Sequence, residues 1–320
     1  FNAGYEPIIV DNFSNSERKA ILGIEQIIGR YITLYTGDCA DKEFMCEVLD
    51  RHHHIEGVIH FAAFKAVGES VQHPLKYYKN NVGALLTLLE VMEQYSIKNL
   101  VFSSSCTVYG QPDVLPVTEQ SPRKAAESPY GHTKQMGEEM LEAVTHAKQA
   151  EIRAISLRYF NPIGAHPSAL IGELPLGVPN NLVPFITQTA AGIREKLTVF
   201  GNDYNTPDGT CVRDYIHVVD LAKAHVKAIG RMLEGKGPSY EVFNIGTGNG
   251  NTVLEAIQAF EKVSGKALNY EIGPRRPGDV EKVYAEVSLS EKALGWKAEL
   301  NLEDAMRDAW KWQQYIQHHE

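Results

Sequence analysis

The chain predicts an α/β protein: a doubly wound parallel sheet with helices on both faces, followed by a smaller C-terminal α/β unit. Three observations carry this. Short apolar runs alternate with longer helix-period stretches over the first 160 residues, and such alternation builds a parallel sheet covered on both faces. The run 57–62 reads as a continuous apolar strand, the pattern of strands buried on both sides. Beyond Asn161 the texture changes, with Pro162, Gly164, Pro167, Gly172, Pro175, Gly177, Pro179 and Pro184 crowded into one stretch. That density of breakers predicts a long ordered loop or a less regular second unit, and loops of such length are usually functional.

Taken in order, 7–10 is a strand closed by Asp11, 16–28 a helix, and 32–35 a second strand leading to Gly37 and Asp38. A helix over 42–51 precedes the strand at 57–62. Residues 74–95 form a long helix with Pro74 at its start, where proline is tolerated. The strand at 100–103 runs into Ser103-Ser104-Ser105, and a helix at 131–147 leads to a strand at 152–159. Residues 214–229 and 242–260 return to α/β patterning. The expected division is therefore 1–160 and 161–320, with about 214–252 crossing back to the first unit.

Composition narrows the class. Hydrophobic residues at 43% and charged residues at 22% belong to a globular chain. Forty acidic against 31 basic residues, a net charge of −9, argue against a broad nucleic-acid footprint. The most apolar stretch, 83–92, is interrupted by Glu90, and a membrane span needs roughly 20 apolar residues. Cys39, Cys46, Cys106 and Cys211 form no CxxC pair, which points to a reducing, cytoplasmic setting and to no metal centre. His52-His53-His54 falls at a predicted helix end, where imidazoles suit the dipole; adjacent positions on a helix do not share a face, so no metal is expected there.

Tyr130-Gly-His-Thr-Lys134 carries the strongest chemical signal. Residues at i and i+4 share a helix face. A free phenol titrates near 10 and is a poor base at neutral pH; a neighbouring ammonium is expected to lower it and make the pair a general base and acid. Such a spacing is also met in ordinary surface pairs. Its setting strengthens it: the pair follows by about 25 residues a strand ending at Ser105, and ligands of doubly wound sheets sit at the carboxyl ends of strands. Asp11 ends the first strand, where an acid accepts the adenosine ribose hydroxyls of a dinucleotide and repels a 2′-phosphate, favouring NAD over NADP. A turn aspartate is the simpler alternative. The glycine loop lies about 20 residues before such an acid. That places the loop, and the strand leading into it, before Phe1. The natural protein is expected to be longer, and a chain that truly starts at Phe1 to hold NAD poorly. Gly246-Thr-Gly248-Asn-Gly250 mimics the loop, but Thr252 and Glu255 offer a capping box, so a tight strand-to-helix turn accounts for it.

These residues, with VDNFSNS (10–16), VIHFAAFKAVGESV (58–71), FSSSCTVYG (102–110), SPYGHTK (128–134), RYFNPIGAHPS (158–168), GVPNNLVPF (177–185), FGNDYNTPDGTCVRDYIHVVDLA (200–222) and RRPGD (275–279), resemble the UDP-glucose 4-epimerase family of the extended short-chain dehydrogenase/reductase superfamily. The resemblance runs nearly end to end and implies a Rossmann-type first domain, NAD as cofactor and interconversion of UDP-galactose and UDP-glucose through a 4-keto sugar. It implies Tyr130, Lys134 and Ser105 as the catalytic set. Asp11, Asn12, Asn15 and Ser16 match the adenosine-ribose shell, and Asp38 and Cys39 the adenine contacts. Phe61, Ala62, Lys65, Asn80 and Phe160 line the cofactor. Lys65, Asn161, Asn181, Leu182, Phe200, Arg213, Arg276, Asp279 and Val283 match the UDP-sugar site; a guanidinium grips pyrophosphate oxygens in a fork.

There are departures. Cys106 replaces a usual Ala and Ala63 a usual Gly. Val283 is small where some relatives carry Tyr, which leaves room for N-acetylated UDP-hexosamines. A dehydratase on the same scaffold needs an acid and a base just before VYG, where this chain has Cys106 and Thr107. A non-catalytic nucleotide sensor is the rival of another class. The resemblance also implies a homodimer through a four-helix bundle of 74–95 and 131–147, with stripes Leu85, Leu88, Leu89, Met92 and Met136, Met140, Val144.

Overall fold

A computed structural model describes residues 1–149, 151–276 and 279–319. The first elements are β1 (Ile8–Asp11), α1 (Lys19–Ile28), β2 (Thr33–Thr36), α2 (Lys42–Asp50) and β3 (Val58–His60). Then come α3 (Val67–Gln72), α4 (Pro74–Tyr77), a π-helical turn (Tyr78–Val82), α5 (Gly83–Gln94), β4 (Asn99–Ser105), a 3₁₀ turn (Cys106–Tyr109), α6 (Pro129–Thr145) and β5 (Arg153–Tyr159). The second half holds β6 (Asn161–Ile163), α7 (Leu182–Ala190), β7 (Leu197–Phe200), β8 (Val212–Arg213), β9 (Tyr215–His217), α8 (Val218–Leu233) and β10 (Tyr240–Ile245). It closes with β11 (Asn251–Thr252), α9 (Val253–Ser264), β12 (Tyr270–Gly273), β13 (Lys282–Val283), α10 (Ser288–Leu294) and α11 (Leu302–His319).

The central sheet is parallel throughout, in the order β10-β5-β4-β3, and β1 and β2 form a second parallel pair. β10 lies beside β5 in the same sheet, with Tyr240 opposite Ala154 and Ile245 opposite Tyr159. Alternation along β4 divides two cores. Leu100 and Phe102 pack toward α2 and α5 with Met45, Leu85 and Met92, while Val101 joins Leu221, Ala228, Phe243 and Ile245 on the face of α8 and α10. Side chains of a strand point alternately to opposite faces, and both faces of the sheet are covered. A third core joins α7, α9 and α11 through Ile186, Phe260 and Met306. Small sheets β11-β8-β13, β12-β7 and β6-β9 complete the second half. No helix among the described residues is long and apolar enough to cross a membrane.

The helix expected over 74–95 is interrupted by its π-helical turn. Such turns collect at functional sites. Here the turn aims the Asn81 side chain inward, where it accepts from Phe64 N at 2.8 Å and donates to Phe64 O at 3.0 Å. Leu85, Leu88, Leu89 and Met92 are all buried against their own sheet, because the apolar face of α5 is consumed by the intrachain core.

Candidate functional site

The site forms where β4, β5 and the start of α6 converge. Ser128 caps α6, its Oγ accepting from Gly131 N at 3.2 Å, and Pro129 occupies the first turn, where its missing N–H costs nothing. This entry sets Tyr130 and Lys134 on the face turned toward β4. Lys134 is buried, and its Nζ donates to Ser103 O at 2.6 Å and Ser103 Oγ at 3.3 Å. It stands 5.8 Å from the Tyr130 ring centre and 5.1 Å from that of Phe102. Ser105 Oγ accepts from Thr107 N at 3.2 Å.

Electrostatics here differ from the sequence expectation. Desolvation pushes the Tyr130 phenol up to about 12, with the Ser105 hydroxyl acting in the opposite direction. Burial pulls the Lys134 ammonium down to about 8. The net direction for the phenol is therefore upward rather than the expected lowering, because burial dominates, and the Lys134 ammonium donates to Ser103.

The remaining predicted residues fall into three neighbourhoods. The first follows β1. Asp11 Oδ1 accepts from Phe13 N at 2.7 Å and Ser16 Oγ at 2.9 Å; Asn12 Oδ1 accepts from Ser14 N at 3.0 Å; Asn15 Nδ2 donates to Ala63 O at 3.3 Å, tying this loop to the loop after β3. Asp38 Oδ1 accepts from Ala40 N at 2.9 Å. Desolvation, with the charges of Asp38 and Asp11, pushes the Cys39 thiol up to about 11.

The second neighbourhood follows β3. Phe61 and Ala62 are exposed, and Phe61 lies 4.7 Å from the His225 ring. Asn80 donates to Asn81 Oδ1 at 2.9 Å. Exposed Lys65 pairs with Glu173 at 3.7 Å, and the same carboxylate accepts from Asn181 Nδ2 at 2.6 Å, just before Leu182 opens α7.

The third lies on the small sheet β11-β8-β13, where Val283 stands opposite Arg213. Arg213 Nη2 donates to Asp279 Oδ1 at 2.6 Å, and Arg276 reaches the same oxygen at 3.2 Å while its guanidinium lies 5.9 Å from the Phe200 ring. Pro277 and Gly278 of the 275–279 motif lie outside the described residues. Val283 packs with Phe160 and Cys106, and Asn161 pairs with Tyr215 through β6 and β9. Desolvation pushes Cys106 up to about 12, which keeps it a thiol and a poor nucleophile.

The turn 246–250 that mimics a phosphate loop has its Thr247, Gly248 and Asn249 N–H groups already occupied. Asp214, fully buried, accepts from Thr247 N at 2.8 Å, Thr247 Oγ1 at 2.7 Å, and Gly248 N and Ala285 N at 3.1 Å each. Gly248 takes a positive φ of 77°, which glycine alone adopts without strain. The capping box of Thr252 and Glu255 forms as expected. Sequence reasoning missed Glu173, Asp214 and Thr107, whose Oγ1 is buried without a protein partner beside the site. None belongs to a spacing rule; only the fold places them. A cavity of about 520 Å³ between α7, α11 and residues 173–177 lies away from Tyr130 and touches the site only through Glu173.

The family model described as GDP-mannose 4,6 dehydratase matches residues 1–309. The chain is 50% identical over 312 residues to a UDP-glucose 4-epimerase of Bacillus subtilis (strain 168), covering 98% of this chain and 91% of the relative. It is 51% identical over 311 residues to that of Dictyostelium discoideum, covering 97% and 89%. A crystal structure of UDP-glucose 4-epimerase from Bifidobacterium longum in complex with NAD+ and UDP superposes with a TM-score of 0.94 at 46% identity, over 100% of this chain and 94% of that one. One from Stenotrophomonas maltophila, with NAD and formylated UDP-arabinopyranose, gives 0.96 at 44%, with the same coverages. A tyrosine–lysine pair facing a serine at the end of a parallel strand, within a chain half identical to these enzymes along nearly its whole length, places this protein in the UDP-glucose 4-epimerase family.

Proposed function

We propose that this protein is an isomerase that interconverts UDP-glucose and UDP-galactose by reversible oxidation at C4 of the hexose, with NAD as cofactor. The observation that carries the proposal is the placement of Tyr130 and Lys134 on α6 against Ser103 and Ser105 of β4. The residues present suit a dinucleotide. A carboxylate, Asp11, ends β1, and a buried cation, Lys134, sits on the strand end beside the Thr107 hydroxyl that lacks a protein partner. Asp11, Asn12, Asn15 and Ser16 would hold the adenosine ribose, Asp38 and Cys39 the adenine, and Phe61, Ala62, Lys65, Asn80 and Phe160 the rest of the cofactor. NAD, when bound, supplies the acceptor and later the donor of hydride.

The chain's own residues handle the proton and the sugar. Tyr130, as the phenolate, takes the proton of the 4-hydroxyl and later returns it; Ser105 orients that oxygen; Lys134 places a cation 5.8 Å from the Tyr130 ring centre. Arg213 and Arg276 offer two guanidiniums to a pyrophosphate, in exchange for their shared contact with Asp279. Asn161, Asn181, Leu182 and Phe200 complete the pocket, and small Val283 borders the sugar. This reading divides the chain into a cofactor domain, 1–160, and a UDP-sugar domain, 161–320, with about 214–252 crossing back. It includes a homodimer and, from four free cysteines, a cytoplasmic setting.

Incubation with UDP-galactose and separation of the products tests the activity. UDP-glucose is expected; a 4-keto-6-deoxy sugar would favour a dehydratase, and no turnover would favour a sensor. Tyr130→Phe is expected to lower kcat by at least about 10²-fold, the scale of lost acid–base catalysis. A second reading, epimerisation of UDP-N-acetylglucosamine as well, rests on the small Val283 beside Phe160. Val283→Tyr should then abolish turnover of the N-acetylated sugar and spare UDP-galactose.

A further inference from the structure

We infer that Glu138 is a positioning residue for this reaction, setting the phenol of Tyr130 through the rotation and axial placement of α6; this rests on Tyr130 and Lys134 being the reacting pair. Tyr130, Lys134 and Glu138 stand at i, i+4 and i+8 of one helix. They meet three consecutive serines of β4. Lys134 holds the Ser103 carbonyl at 2.6 Å, Ser104 Oγ donates to Glu138 Oε1 at 2.6 Å, and Ser105 acts on the Tyr130 phenol. The helix is thus keyed to the strand at every turn.

Glu138 is the only member of this ladder held from a second strand. Arg158 of β5 clasps it in a fork, Nε to Oε1 at 2.8 Å and Nη2 to Oε2 at 2.6 Å, and both side chains are buried; Arg123, from the loop before α6, also faces it with Nη1 3.6 Å from Oε2. The network continues outward. Arg158 Nη1 donates to Tyr109 OH at 2.8 Å and Glu119 O at 3.1 Å; Tyr109 OH donates to Asn244 Oδ1 at 2.6 Å; Asn244 Nδ2 donates to Val117 O at 2.8 Å. One connected set of polar groups therefore ties α6 to β4, β5, β10 and the turn that follows Ser105.

A buried ion pair is a weak source of net stability, because desolvation cancels most of its attraction. What a two-point fork supplies is direction. Packing next to it leaves α6 close to the sheet and smooth: Gly137 lies where a Cβ would stand 2.5 Å from Phe102 Cζ. No side chain at 137 can key the helix there, and Glu138 does so instead. Tyr130 lies two turns away, about 12 Å along the axis, so a rotation released at Glu138 displaces the phenol from Ser105. A misplacement of about 1 Å costs on the order of 10²-fold in rate.

Wild type, Glu138→Gln, Ser104→Ala and Tyr130→Phe test this through kcat and KM for UDP-galactose from pH 6 to 10, with thermal melts. Glu138→Gln should lower kcat about 10- to 100-fold with KM changed less than about threefold. The rising limb of its pH profile should move up by about half a unit or more, as the phenol loses its partner. Ser104→Ala should shift both in the same direction by less, with little change in melting temperature. A purely structural role would lower the melting temperature while leaving the pH limb and the kcat of folded enzyme in place, and that result overturns the inference. Should Glu138→Gln fail to fold, Ser104→Ala decides by the same limb. A wild type without epimerase activity overturns the proposed function and this inference with it. An active wild type and an inactive Tyr130→Phe beside an unaltered Glu138→Gln overturn the inference alone.

Discussion

Tyr130 and Lys134 are pushed toward their uncharged forms by the same burial, and the lysine makes that visible in stability. Its ordinary value is 10.5 and the folded protein holds it at about 8. Below pH 8 both states carry the proton and the cost of the buried charge is fully present. Between 8 and 10.5 the unfolded chain binds more protons than the folded one, so stability rises with pH. Tyr130, raised from 10 to about 12, opposes this only above pH 10. Urea unfolding at pH 7.5, 8.5 and 9.5 should therefore show the wild type gaining about 2 kcal/mol on Lys134→Met. Parallel curves for the two proteins would contradict the buried charge.

Among elements, the clamp on β8 does most to shape the substrate side. Asp214 follows Arg213 directly and draws in the 246–248 turn and Ala285 of the segment after β13. Its four accepted bonds hold β13 beside β8, which sets Val283 opposite Arg213. Asp214→Ala leaves three backbone donors and the Thr247 hydroxyl without their partner. Each orphaned buried donor costs about 1–3 kcal/mol, so a loss of about 3 kcal/mol or more is expected in chemical denaturation. Because Arg213 and Val283 lose their register, KM for the UDP-sugar should rise more than kcat falls. An unchanged KM in a folded variant would separate Asp214 from the site.

The whole molecule poses the question of assembly. With the Leu85–Met92 face spent on its own core, the apolar surface left on this side is carried by Val67, Val71, Leu75 and Leu86, all exposed, with Leu75 at 80%. Exposed apolar groups clustered on neighbouring helices mark association surfaces. We propose that the dimer would use the outer edges of α3, α4 and α5. Light scattering should give twice the chain mass, and Leu75→Glu with Leu86→Glu should halve it. A monomer at all concentrations, or a dimer indifferent to both changes, would remove this surface from consideration.

Most of the fold was legible because hydrophobic periodicity is local: alternating strands and helices, the capping box at Thr252 and the proline-rich change after Asn161 are all written within a few residues of where they act. The Tyr130–Lys134 pair was legible for the same reason, since i and i+4 share a face on any helix. Three things were decided only in three dimensions. The glycine turn at 246–250 is closed by a carboxylate some 30 residues upstream. The apolar stripe of α5 turns inward to its own sheet. The phenol is raised, because the fold buries it away from water. Each depends on which distant groups compete for the same donor, face or charge, and spacing along the chain carries no record of that competition.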